Sequence, residues 1–501
     1  MKRAACQSIG SVVLLLLSAS CAGRTESGAE RVHRTGVLRW GADVQGGAPY
    51  AMEDPARPGH IVGFEVELAD AIARELGVRA EFVQQDWSAL VPALERGAFD
   101  VALNGLEMTP SRAGRVAFTR PYYVFTAQLV VRRDDTAHGN LASLAGRRVG
   151  TLASSFSYDL LRERGDVEIV SYEGVEEPYA DLEAGRVDGV LLDDVIAARY
   201  GLVKPALRVA EDVRDGFYAG ACRKTERGLC DEISGAVDRI AASGELRRIL
   251  ARWQIDTGRQ ARLVDWKASD TQALALAQEA TPFGWHHVQL FLKGAVVTLA
   301  VSTAAMVIAV VLGLALALGR MYGPGAVAKA ITVYVELFRG TPVLLQLYVL
   351  YFGLMPWLRH VTGVGAGTEY DAGFAAVAGL GLNYAAYEAE IYRAGIQAVP
   401  AGQLDAAHAL GMGTALAVRR IIVPQAVRIA LPGVTNDFIA LLKDSSLVSV
   451  ITVVELTKHM TITAVDVRSW VIPGAVCALF YMAMSYPLSR LSQKLERKLA
   501  R

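Results

Sequence analysis

The chain holds 501 residues, 52% of them hydrophobic, and its 51 lysines and arginines balance 51 aspartates and glutamates to a formal charge of zero. That neutrality argues against a nucleic-acid coat, which carries a large basic excess. A mean hydropathy of +0.28 with only 20% charged residues is too apolar for a soluble protein of this size, so part of the chain belongs in a bilayer.

Length allows about three domains. The five cysteines, Cys6, Cys21, Cys222, Cys230 and Cys477, form no CxxC pair and lack a histidine at ligand spacing, so no structural metal and no cofactor are expected. Residues 1–21 begin with Lys2 and Arg3, run apolar from Ile9 to Leu17 and end in LSASC. The run is too short to span about 30 Å of hydrocarbon, so it reads as an export signal. Cys21 stands where a lipoprotein cysteine would, although Ser18 holds the position that a lipobox gives to leucine; the segment is a signal peptide or a lipid anchor. Residues 22–35 are polar and read as a linker.

From Val37 the short apolar runs VLRWGAD, RAEFVQQ, DVALNG, RRVGTL, VEIVSYE and GVLLDD alternate with amphipathic helices such as FEVELADAIARELG. In that helix Val66, Ala69, Ile72, Ala73 and Leu76 recur at helical spacing and Gly77 stops it. The alternation predicts βαβ units, a mostly parallel sheet and a two-lobe module over residues 36–257. A linker over 258–287 follows. Beyond it Gly294–Gly319, Gly340–Leu358 and Ser469–Ser489 are uncharged runs of spanning length, and weaker stretches near 372–394 and 430–454 bring the expected count to five. Arg419, Arg420 and Arg428, and the 493–501 tail with its flanking Arg490, collect the positive charge of a cytoplasmic side. Five spans then place the α/β module outside the cytoplasm, in agreement with the export signal.

The segment DVALNGLEMTPSRAGRVAFTRPYY carries Gly105, Thr109 and Arg112 after a strand. A guanidinium grips a carboxylate in two parallel hydrogen bonds, and a nearby hydroxyl completes the cradle. Asp193, at the end of GVLLD, suits a ligand ammonium, and Tyr50 and Trp87 offer aromatic faces. Together with GFEVELADAIARELG and the pattern of Gly185, Asp188 and Asp193, these residues resemble the polar amino-acid binding proteins of ATP-driven importers over about residues 36–257. The resemblance implies that Arg112 and Thr109 bind the α-carboxylate, that Asp193 binds the α-amino group, that Tyr50 and Trp87 line the side-chain pocket with Asp43 at its far end, and that Ser155 joins the set. Ser154-Ser155 departs from the family's usual Gly-Thr, and Glu107 replaces a small hydroxyl residue. Asp43, Glu107 and Asp193 make the pocket acidic, which favours a cationic amino acid. Cys222 and Cys230 are candidates for a disulfide in an oxidising exterior.

Residues 400–432 read as a short helix after Pro400-Ala401-Gly402, ended by Gly411, and a second helix exposing Arg419 and Arg420, a protrusion suited to a partner's groove. Asp405-Ala406-Ala407, Gly411 and the run Ile421 to Pro424 resemble the EAA coupling loop of importer permeases, and YVELFRGTPVLLQLY and LLKDSSLVSVI extend the likeness over about 288–490. The expected fold class is therefore an α/β two-lobe periplasmic-binding-protein-like module followed by an all-α five-helix membrane permease module over 288–492. No GXXXXGK[ST] phosphate loop occurs in the chain. The resemblance thus implies a transporter subunit rather than an enzyme, paired as a homodimer in the cell membrane and driven by two copies of a separate ATP-binding subunit. A ligand-gated channel would need pore segments inside 37–256, where none occurs, and neither GXSXG nor HEXXH signals a hydrolase.

Overall fold

The computed structural model describes residues 27–44, 47–264, 266, 282–362, 371–467 and 469–499. The signal segment 1–21 with Cys21, and most of the expected 258–287 linker, lie outside the described residues. The chain divides into two compact units, residues 1–125 with 216–277 and residues 126–215 with 278–501.

In the first unit, β1 (Val37–Ala42) runs parallel to β4 (Arg79–Gln84) and to β5 (Val101–Ala102); β2 (Met52–Glu53) and β3 (Ile61–Val62) form a small antiparallel pair. The far half of β10 (Leu207–Arg223) pairs antiparallel with β5, setting Ala221 opposite Ala102. The helix Phe64–Glu75 covers this sheet. Its buried stripe is Phe64, Glu65, Leu68, Ala69, Ala71, Ile72 and Ala73, rotated from the stripe read in the sequence, because Phe64 and Leu68 outcompete the smaller Val66 for the core. Residues 28–35, expected as linker, instead form the helix Gly28–Thr35, opened by a Ser27/Glu30 capping box and tied down by Arg31 to Asp100 at 2.9 Å and to Glu226 at 3.0 Å. Cys222 and Cys230 are buried free thiols, not a disulfide, and the Cys230 Sγ donates to the Ala117 carbonyl at 3.3 Å.

In the second unit, β7 (Arg148–Leu152) lies parallel to β8 (Glu168–Tyr172) and to β9 (Gly189–Asp193). The far half of β6 (Val116–Arg132) pairs antiparallel with β9, Ala127 opposite Asp193. All six expected strands form. The two 17-residue strands β6 and β10 supply the antiparallel part that the alternation did not reveal; Arg208, Glu211, Asp212 and Arg214 hid β10 behind its charge.

The helical part of this unit opens with Trp285–Tyr322, 38 residues containing the first expected span. The second expected span, Gly340–Leu358, begins at a bend: the helix Gly325–Gly340 ends there and Val343–Leu358 leaves it at 108°, because Pro342 disfavours helical backbone at Thr341. Helices Asp371–Gln397 and Val423–Asp444 follow; the latter has 22 residues, about 33 Å of rise, with Pro432 inside it. It ends at Asp444 and gives way to a 3-10 turn, Ser445–Ile451, then to Leu456–Asp466 and Val471–Leu499. Among the described residues two helices are long and apolar enough to cross a membrane, or three with the bent pair, against five expected. Asp371–Gln397 carries Glu388, Glu390 and Arg393, and Val423–Asp444 carries Arg428, Asp437 and Lys443, which keeps both from qualifying by composition. Small residues let the helices close up: a Cβ at Gly313 would stand 2.5 Å from the Glu388 Cβ.

Candidate functional site

Thr109 and Arg112 sit on one turn. Thr109 caps the helix Pro110–Ala113, its Oγ1 accepting the Arg112 N–H at 3.3 Å and lying 2.8 Å from the Ser111 Oγ. Pro110 at the first helical position fixes the turn. The Arg112 side chain is held twice by Glu107: Nη1 donates to its carbonyl at 2.9 Å and to its Oε2 at 2.5 Å. Glu107 is 6% and Arg112 8% exposed, so this ion pair is desolvated, and removing one partner strands the other. The guanidinium carbon lies 5.0 Å from the Trp87 ring centroid, a cation–π contact. The departure at Glu107 is therefore the group that orients Arg112.

Asp43, at the end of β1, accepts the Trp87 N–H at 2.8 Å and the Gln84 Nε2 at 3.2 Å, while its own N–H donates to Asn104 Oδ1 at 2.8 Å. It fixes the backbone that carries Trp87. Gly105 has φ of +57°, and a Cβ there would lie 2.6 Å from the Tyr50 ring; only glycine suits both the backbone and the ring. Tyr50 in turn shares a 2.9 Å hydroxyl contact with Tyr218. The structure thus brings Asp43, Trp87, Thr109 and Arg112 into one linked set, and Tyr50 and Gly105 into another.

Beneath that second set lies a group the sequence reading missed. Gly105 N–H donates to Glu65 Oε1 at 2.6 Å, and the Tyr122 hydroxyl donates to the same oxygen. Glu65 is fully buried, and burial pushes its carboxyl up to about 7, against the two donors that pull it down. A carboxylate aligned with Leu68, Ala69 and Ile72 on a buried stripe was the available signal. Since the folded value exceeds the unfolded 4.5, the native state binds the extra proton between pH 4.5 and 7, and stability falls as pH rises through that window, by about 3 kcal/mol in full. Thermal melts of Glu65→Gln from pH 4.5 to 8 are expected to lose this slope; an unchanged slope assigns it elsewhere.

In the second unit Ser155 caps Phe156–Arg164, its Oγ accepting from Tyr158 N–H at 3.1 Å and donating to the Leu152 carbonyl at 2.9 Å. The preceding Ser154 has φ of +60°, the left-handed backbone that a glycine takes without penalty. Asp193 closes β9, and its Oδ1 accepts the Ile196 N–H at 2.7 Å, which fixes the carboxylate at the strand end. Asp188 Oδ2 accepts the Arg148 N–H at 3.1 Å and is a structural partner of β7.

The segment read as a coupling loop forms the helix Gly402–Ala409, then Gly411 at φ of +80°, then Thr414–Ala417 and the wide turn Val418–Ile422, with Pro424 starting the long helix. Asp405 and Ala406 are exposed and Ala407 is buried beneath them. Leu410 is 82% exposed, an apolar knob on the turn before Gly411.

Comparison with known proteins covers both parts. Residues 38–256 match the bacterial extracellular solute-binding proteins, family 3, and residues 309–501 match the binding-protein-dependent transport system inner membrane component. The octopine transport system permease protein OccM of Rhizobium meliloti is 37% identical over 220 residues, 43% of this chain and 87% of that protein. The ABC transporter arginine-binding protein 1 of Escherichia coli (strain K12) is 30% identical over 200 residues, 38% of this chain and 82% of that protein. A solved ancestral arginine-binding protein bound to arginine aligns with a TM-score of 0.41 at 29% identity, over 44% of this chain and 98% of that one.

Proposed function

Because the chain belongs to the binding-protein-dependent amino-acid importers, and joins a family 3 solute-binding domain to an inner-membrane permease domain, we propose that it captures a cationic amino acid outside the cytoplasm and passes it through its own permease domain. In this reading residues 36–257 form the capture domain and 288–492 the permease. Arg112 and Thr109 take the α-carboxylate, Asp193 takes the α-ammonium, and Tyr50, Trp87, Gly105 and Ser155 shape the surroundings. Energy comes from two copies of a separate ATP-binding subunit acting on Asp405, Ala406, Ala407, Gly411 and Pro424 of a permease homodimer.

One observation carries the cationic preference: the four charged residues assigned to the ligand set or holding it are three carboxylates, Asp43, Glu107 and Asp193, against one guanidinium, each less than a tenth exposed. An acidic residue set of this kind complements a ligand with a cationic side chain. The named relatives, an arginine-binding protein and an octopine permease, support the same class. Calorimetry of the full chain in detergent against arginine, lysine, glutamine and glutamate tests it. Arginine or lysine is expected to bind best, and glutamine or glutamate binding best overturns the preference. Glu107→Gln is expected to narrow the arginine-over-glutamine ratio about tenfold, roughly 1.4 kcal/mol; an unaltered ratio removes Glu107 from selectivity.

A further inference from the structure

The second unit holds a contact between its α/β part and its helices that the capture reading leaves unused. Asp181, on the helix Glu177–Glu183, is 1% exposed. Its Oδ1 accepts from Arg186 Nε at 2.9 Å and Nη2 at 2.6 Å, and its Oδ2 accepts from the Tyr172 hydroxyl at 2.7 Å and the Tyr351 hydroxyl at 2.8 Å. Tyr351 comes from the helical part, 170 residues away in sequence, on the wide turn Val349–Leu354. The same tyrosine offers its ring: the Arg186 guanidinium carbon stands 4.3 Å from the Tyr351 centroid and 6.0 Å from that of Phe352. One aromatic residue thus completes an ion pair by hydrogen bond and by cation–π contact at once. A second tie is independent of it. The Lys458 Nζ reaches Glu173 Oε1 at 2.7 Å, and Lys458 itself is 2% exposed, with its N–H held by Glu455 Oε1 at 2.8 Å.

We propose that these two ties are a resident latch: the 126–215 half of the capture domain stays seated on the permease domain of its own chain throughout transport, with Tyr351 and Lys458 as the receptor. Three features argue for permanence. The Asp181–Arg186 pair is buried in the seated state, so lifting the contact strips Tyr351 from a charged acceptor. Lys458 is covered, and its charge is answered by Glu173. Because both partners lie on one polypeptide, reseating is intramolecular and pays no association cost. The latch serves the importer reading, but its covalent test does not depend on it.

The test is the double variant Glu173→Cys/Lys458→Cys in the full chain, reconstituted with its ATP-binding subunit in liposomes, bridged with a reducible bifunctional thiol reagent that spans the length of the lost lysine–glutamate pair, and digested. The bridged peptide is expected by mass spectrometry, and its absence, with both single variants labelled by the reagent, overturns the contact. Uptake of radiolabelled arginine by the bridged protein is expected within twofold of the reduced protein. Uptake that stops on bridging and returns with reductant overturns permanence, because the seat must then open in each cycle. The unsubstituted chain, treated alike, reports separately on the importer reading: if it takes up no arginine, the proposed substrate fails whether or not the linked peptide forms. Tyr351→Phe, which keeps the ring and removes the hydroxyl, is expected to lower arginine uptake about tenfold with calorimetric arginine affinity unchanged; wild-type uptake in that variant overturns the role of the hydroxyl.

Discussion

Replacing Arg112 with alanine is expected to weaken binding of the best amino-acid ligand by roughly two orders of magnitude, about 3 kcal/mol, the scale of truncating one partner of a desolvated charge pair. The same change strands the buried Glu107 carboxylate, 2.5 Å from Nη1 in the intact protein, so the melting temperature should fall as well. Two companion variants separate these effects. Arg112→Lys keeps the charge and loses the planar fork, and is expected to retain much of the stability while losing most of the affinity. The double variant Arg112→Ala/Glu107→Gln relieves the stranded charge and should recover stability without recovering binding. Calorimetry read beside thermal melts checks all three, and full affinity in Arg112→Ala removes the anchor assignment.

The second large effect belongs to Gly411. Proline holds φ near −65° and has no N–H, whereas Gly411 sits at φ of +80° and donates its N–H to the His408 carbonyl at 2.9 Å. Gly411→Pro is therefore expected to unmake the turn after Gly402–Ala409 and to abolish uptake while leaving ligand capture within twofold of the parent. Gly411→Ala, which has open space for its Cβ and pays only for the left-handed backbone, should cost about 1 kcal/mol locally and lower uptake partially. Uptake by proteoliposomes beside calorimetry makes the distinction; retained transport in the proline variant removes the coupling role.

Much of the architecture was legible because local patterns and tertiary demands agree. Short apolar runs announced six strands, and Gly77 and Gly411 closed helices where they occur with positive φ. Three features were hidden for identifiable reasons. Strand β10 alternates charge along an exposed half, so no apolar run announced it. The Thr341-Pro342 break lies at the head of the uncharged run Gly340–Leu358, and the arm before it, Gly325–Gly340, carries Lys329, Glu336 and Arg339, so no apolar run announced that arm. Glu65 occupies a helix position whose neighbours are apolar, and only its three-dimensional donors, Gly105 and Tyr122, make a buried carboxylate intelligible. For the candidate site residues, the pairings were not legible in the sequence. Glu107 read only as a departure that adds acidity, and the structure pairs it with Arg112, while Asp43 supports the Trp87 backbone.

The helix Val423–Asp444 has a mechanical consequence. It begins at Val423, in the segment that resembles a coupling loop, and leads at its other end through Ser445–Ile451 to Thr452, whose hydroxyl lies 3.5 Å from that of Tyr351. A rod of this kind carries thrust and torque along its axis, and its compliance is concentrated at Pro432, where the ring removes the backbone donor that would have reached Arg428. Stiffening that joint would change how much of a displacement imposed at one end arrives at the other without altering what either end touches.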